Sequence, residues 1–167
     1  MTEKKAKIIK VENILIKKAG FGEISENLIT RSENLIINNN IDFKQIALPI
    51  LSRLRLVINH AKSHPEEIEV INQELINPVM ELKANGSMFK YDLVGQLASV
   101  MLSFLEHIKQ FNNDALEIID AHEKTLTLIV AKEIKGDGGQ LGKQLLSELE
   151  GACSRYYRKN PDMFKKV

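Results

Sequence analysis

Apolar residues in this chain recur at spacings of three and four almost from end to end, and no stretch alternates strictly between apolar and polar. An α-helix turns about 100° per residue, so that spacing stacks apolar side chains along one helical face. A chain written in this way builds helices that each bury one stripe. With 167 residues, 44% of them hydrophobic and 27% charged, the composition suits one folded domain rather than two, or disorder. The expected class is all-α, as a single helical domain over residues 1–167.

Turn signals divide the pattern. A segment over 7–37 carries Ile8, Val11, Leu15, Ile24, Leu28 and Leu35, and the Gly20-Phe21-Gly22 break splits it. Asn38-Asn39-Asn40 reads as a loop. Asp42 can cap a helix reaching about Ser63, with Phe43, Ile46, Ile50, Leu54, Val57 and Ala61 on one face. Pro49 either kinks that helix or marks its first turn. Pro65 suits the first turn of the next helix, whose stripe is Ile68, Ile71, Leu75, Val79 and Leu82. A kink or break is expected near Asn77, just before Pro78, and a stop at Asn85-Gly86.

Three further helices follow. One, over 89–111, has Leu93, Leu97, Met101, Phe104, Ile108 and Phe111 in register. A second, capped by the Asn112-Asn113-Asp114 turn and running to about Lys135, turns Leu116, Ile119, Leu126 and Val130 to the core. After a glycine cluster the third carries Leu141, Leu145, Leu149, Ala152 and Tyr156 before Asn160-Pro161 ends it. Short connections make neighbours antiparallel. The expected architecture is an antiparallel four-helix bundle core over 65–159, joined by a connecting helix over 41–64 to additional N-terminal helices over 1–40.

Bulk properties exclude several functions. A formal net charge of +1 gives no global field for nucleic acid or an anionic membrane. No run approaches the roughly 20 apolar residues of a membrane helix, and the charged start has no signal-peptide core. The single cysteine, Cys153, permits no internal disulfide and fits a reducing cytoplasm; beside Gly151 and Ala152 it reads as close helix packing.

One constellation stands out: Ala131-Lys132-Glu133-Ile134-Lys135-Gly136-Asp137-Gly138-Gly139-Gln140-Leu141-Gly142. The angle from Val130 puts Lys132 on the solvent face, with Leu128 and Lys135 one turn away on either side. The glycines beyond leave the surface beside the lysines free of bulk. Such a patch suits close approach of an acidic surface. These residues resemble the histidine-containing phosphotransfer (Hpt) domains of two-component relays, whose motif is like A-H-x-L-K-G-S-x-G-x-L-G. Ala131, Lys135, Gly136, Gly139, Leu141 and Gly142 match, with Ile134 for leucine; Phe104-Leu105 and Leu149-Glu150 also fall roughly in place. The resemblance covers about residues 90–157.

Where that family has its phosphoaccepting histidine, this chain has Lys132, whose amine is protonated near neutral pH and is not a nucleophile. Asp137 replaces a small polar residue where a phosphate would approach. The resemblance therefore implies a docking surface without phosphotransfer: a non-catalytic adaptor in bacterial-type signal transduction, binding a receiver domain or histidine kinase. Leu128, Lys132, Lys135, Gly136, Gly139 and Gly142 are its expected partner-binding residues, with no cofactor. The same segment also reads as a plain turn beside two solvated lysines.

Other candidates belong to different classes. His122, at the edge of the apolar stripe, suits a structural role, or in a rival reading an active phosphoacceptor. His107 reads as a helix-flank residue. His60 and His64 stand four apart, a spacing at which two imidazoles can share a metal, with no third ligand beside them. The cluster Arg155-Tyr156-Tyr157-Arg158-Lys159 suits a helix C-terminus that collects cations. A structural homodimer built on the N-terminal helices is the remaining alternative.

Overall fold

The computed structural model describes residues 18, 25–37, 42–64 and 68–163. Among them every regular element is helical: α1 (Glu26–Ile37), α2 (Phe43–Ser63), α3 (Ile68–Met88), α4 (Asp92–His107), α5 (Asn113–Ala131), α6 (Gly139–Lys159) and a closing 3-10 turn (Pro161–Met163). The chain divides into two compact units, Met1–Asn40 and Ile41–Val167. The Gly20-Phe21-Gly22 break, the Asn38–Asn40 loop, the start at Pro65 and the stripe residues Ile8, Val11, Leu15 and Ile24 lie outside the described residues.

In the first unit, α1 holds Leu28 and Leu35 seven residues apart, and both are exposed. The second unit contains the core. Asp42 caps α2 by accepting the Lys44 N–H at 3.0 Å, and Asn112 caps α5 by accepting the Ala115 N–H at 2.9 Å. Each such cap is worth about 1 kcal/mol.

Pairwise contacts fix helix directions. The Arg53–Glu81 ion pair and the Phe43–Phe89 ring stack make α2 and α3 antiparallel. The Asn72 amide donating to the Leu105 carbonyl, with Gly86 packed on Gly95, does the same for α3 and α4. Lys44 at the Ala131 carbonyl and Arg55 at Asp120 run α5 against α2. The Lys159–Asp114 pair runs α6 against α5, whereas Leu93 beside Gly142 and Phe104 against Tyr156 make α6 parallel to α4.

The expected stripes of α4 and α5 are buried throughout. Burying such side chains contributes roughly 1.5–3 kcal/mol each. Three expectations are corrected. The helix over 43–63 is more than a connector: it packs against both α3 and α5, and Leu51, Leu54 and Ile58 are fully buried in the common core. In α6 the buried line is Gly142, Leu149, Cys153 and Tyr156, so Leu141 is left 56% exposed and Leu145 half-buried. Finally, α3 runs on through Gly86, past the expected stop, and of the kink or break expected at Pro78 no break is seen.

Gly86 serves packing instead, because a Cβ there would meet the Gly95 backbone nitrogen at 2.9 Å. The helix stops later, where Lys90 turns left-handed at φ 62°. The Tyr91 N–H then donates to the Gly86 carbonyl and the Lys90 N–H to the Ser87 carbonyl, a Schellman closure.

Candidate functional site

The glycine-flanked segment lies where α5 ends and α6 begins. Helix α5 stops at Ala131, short of the expected 135, for a local reason. Glu133 adopts φ 53°, its N–H donates to Val130, and the Ile134 N–H reaches back to Ile129, which is again a Schellman closure. Lys135 is therefore a loop residue and does not continue the helical face. Lys44 of α2 adds a tertiary cap, its ammonium 3.4 Å from both the Ala131 carbonyl and the Glu133 carboxylate.

The loop is fastened to the α3–α4 turn. The Gly136 N–H donates to the Lys90 carbonyl at 2.6 Å, and the Gly136 carbonyl accepts from the Leu93 N–H at 2.9 Å. Gly136 and Gly139 hold φ near 60° in open space, so their lack of a side chain serves conformation. Gly142 is different. It is buried, its α-carbon lies against the Asp137 carbonyl and the Leu93 side chain, and it cannot touch a partner. The Asp137 carboxylate accepts the Gly139 N–H at 2.9 Å, so the start of α6 carries its own anion.

On the surface this leaves Leu128, 50% exposed, with Lys132 one turn on and Lys135 beyond it in the loop. All three side chains are exposed. Thr125 is half-buried and returns its hydroxyl to the Ala121 carbonyl.

His122 is fully buried. Its Nδ1 lies 2.8 Å from the Ile118 carbonyl and so carries the proton, and Nε2 has no hydrogen-bond partner among the described residues. Burial lowers its pKa from the ordinary value, against a smaller opposing effect of that carbonyl, and the ring is neutral and inaccessible. His107 ends α4 and reaches the Ser103 carbonyl at 2.6 Å. His60 and His64 are exposed and stack face to face at 4.5 Å. Among the described residues no group of three or more His, Cys, Asp or Glu side chains is placed to hold a metal. Cys153 is buried, which pushes its thiol up to about 11, and the charge of Glu150 adds to the effect.

The sequence pattern missed a charged network between α2 and α5. Arg55 spans Asp120, at 2.5 Å, and Glu123, both buried. Lys62 and Lys124 also reach Asp120, at 3.2 and 2.7 Å, and the Thr127 hydroxyl donates to Glu123. Burial alone would raise the Asp120 pKa, but hydrogen bonds from Lys124 and Lys62 and the charges of Lys62 and Arg55 outweigh it and hold the carboxyl below its ordinary range. A signal existed: Ile119, Glu123, Leu126 and Val130 share heptad spacing, so the acid at 123 falls in the core line and demands a cation from a facing helix.

Among the described residues no helix is long and apolar enough to cross a membrane. No protein-family model, curated protein or solved structure matches the chain.

Proposed function

We propose that this chain is a non-catalytic interaction module of bacterial-type signal transduction, working in the cytoplasm as a pseudo-phosphotransfer adaptor that docks a receiver domain or histidine kinase. The supporting observation is the exposure of Leu128 and Lys132 one turn apart, with Lys135 beside them. An apolar side chain beside two cations suits an acidic partner face with an apolar spot at its edge. Burial of His122 speaks against phosphotransfer, since its nitrogens offer no path to a partner's phosphoryl group. Asp137 at the start of α6 speaks against a bound phosphate there. In architecture we read α2 to α5 as an antiparallel four-helix bundle, with α6 laid over α4 and α5.

Capture from native lysate with wild type and a Lys132→Glu, Lys135→Glu variant tests the reading. The expected result is a receiver-domain or kinase protein retained by wild type and lost with the variant. Identical captures, or captures containing neither class, overturn it. A second reading, a homodimer through α1, is favoured by the exposed Leu28 and Leu35. It predicts a concentration-dependent dimer in sedimentation that Leu28→Glu, Leu35→Glu dissolves.

A further inference from the structure

Helix α2 ends on a pair of histidines. His60 lies in its last turn, and His64 is the residue that caps it. The His64 N–H donates to the His60 carbonyl at 3.0 Å, so the final turn is closed and the two residues stand one turn apart on one side of the helix. Both side chains are exposed, and their rings stack with centroids 4.5 Å apart and planes 25° from parallel.

Stacked imidazoles at a helix end present two borderline nitrogen donors to one point. On a tetrahedral zinc ion, with bonds of about 2.0–2.1 Å, two ligating nitrogens lie about 3.3 Å apart. The rings need to tilt together by only about 1 Å at one edge, a movement that exposed side chains make freely.

The surrounding charge accepts a cation. Lys62, the other basic residue of that last turn, stands about 200° round the helix from His60. Its ammonium is held by Asp120 at 3.2 Å, away from the pair. Asn59, Ala61 and Ser63, which flank the histidines, are uncharged. The carbonyl end of a helix is also its negative pole.

Donor type selects the ion. Imidazole nitrogens favour late first-row divalent metals, whereas Mg²⁺ and Ca²⁺ call for oxygen ligands. Among the described residues no third His, Cys, Asp or Glu joins the pair. The remaining coordination positions therefore fall to water, which makes this an open site rather than a closed structural one.

We infer that His60 and His64 form a two-imidazole chelate for a late transition-metal ion of the Zn²⁺ class. Neither residue belongs to the Leu128, Lys132 and Lys135 face, so the inference stands apart from the signalling reading. Because ligation bridges the last turn of α2, a bound ion stabilises the folded chain and raises its melting temperature as metal concentration rises.

The probe is zinc chloride alone, titrated calorimetrically into the full chain in a non-chelating buffer at neutral pH, with thermal melts alongside. Wild type shows one saturable site and a zinc-dependent rise in Tm. His60→Gln and His64→Gln each weaken binding at least tenfold, since a lone imidazole forms no chelate, and each removes the rise. Without zinc both variants melt within about 2 °C of wild type, because the side chains are exposed and the cap uses the His64 backbone. His107→Gln, at the end of α4, leaves zinc binding unchanged, and magnesium chloride gives neither signal. Zinc affinity that survives in His60→Gln or His64→Gln overturns the inference. So does equal binding of magnesium, or no saturation by about millimolar zinc.

Discussion

The carbonyl oxygen of Asp137 sits against the α-carbon of Gly142, in the space that a side chain would need. The obstacle is backbone of a loop already hydrogen-bonded to the α3–α4 turn, so it cannot move aside cheaply. Gly142→Ala should therefore destabilise by about 2 kcal/mol, an overpacking cost. For a chain of this size that lowers Tm by roughly 4–8 °C. Gly136→Ala meets open space and bears only the left-handed backbone cost, about 1 kcal/mol. Thermal melts of both variants by circular dichroism check the order, and equal melting points would contradict the geometry.

Arg55 is the only cation that touches both Asp120 and Glu123 among the described residues. Arg55→Met strands Glu123 without a charge partner in a site where that carboxylate is nearly inaccessible. Removing one member of a buried pair costs about 3–5 kcal/mol, and the lower end applies because the Arg55 side chain is 31% exposed. Urea unfolding should show that loss. Glu123→Gln in the Arg55→Met background should recover part of it, and simple additivity of the two changes would contradict the pairing.

His122 gives the stability curve a definite sign. Its folded pKa is depressed, so the unfolded chain binds the proton first as pH falls. Stability is complete above the ordinary histidine value near 6.5 and declines below it, by up to about 1.4 kcal/mol per pH unit, until the folded pKa is reached. His122→Leu removes that slope and leaves stability near pH 8 within about 1.5 kcal/mol of wild type, because an unpaired Nε2 goes with the ring. Asp120, also depressed, contributes stability above the ordinary carboxylate range and loses it only at lower pH. Unfolding free energies from pH 8 to 5 separate the two, and a slope that survives in His122→Leu would contradict the assignment.

Cys153 should resist thiol reagents. Burial and a thiol raised to about 11 leave little thiolate and no access. A colorimetric disulfide reagent at pH 8 should react with the chain only after denaturant is added, and fast reaction of the native chain would show that α6 is not seated as described.

The stripes of α4 and α5 were legible because leucine, isoleucine and phenylalanine at three-four spacing leave one face to bury. Leu141 was misplaced because glycine carries no hydropathy signal, and the buried line of α6 begins at Gly142. Gly86 misled in the opposite sense. Asn-Gly is a stop signal locally, yet the close approach of Gly95 from α4 uses that glycine inside a continuous helix. The true stops fall on Lys90 and Glu133, residues with no intrinsic preference for a left-handed backbone, which only the surrounding hydrogen bonds impose. The solvent positions of Leu128 and Lys132 followed from helix angles alone, whereas Lys135 needed the helix end to be known. Glu123 in the core line of α5 announced that a cation must face it, but Arg55 lies 65 residues from Asp120, and no local pattern names the partner.

The two bonds that tie Gly136 to Lys90 and Leu93 fix the register of the core. Stripes built from similar aliphatic side chains tolerate a slip of one helical turn with modest loss, since leucine then meets isoleucine instead of valine. A backbone donor and acceptor on one glycine, matched to an acceptor and donor three residues apart across the α3–α4 turn, tolerate none. An axial shift of α4 against the α5–α6 junction by one turn, about 5.4 Å, breaks both bonds together. This clasp selects a single alignment among the several that hydrophobic packing would accept.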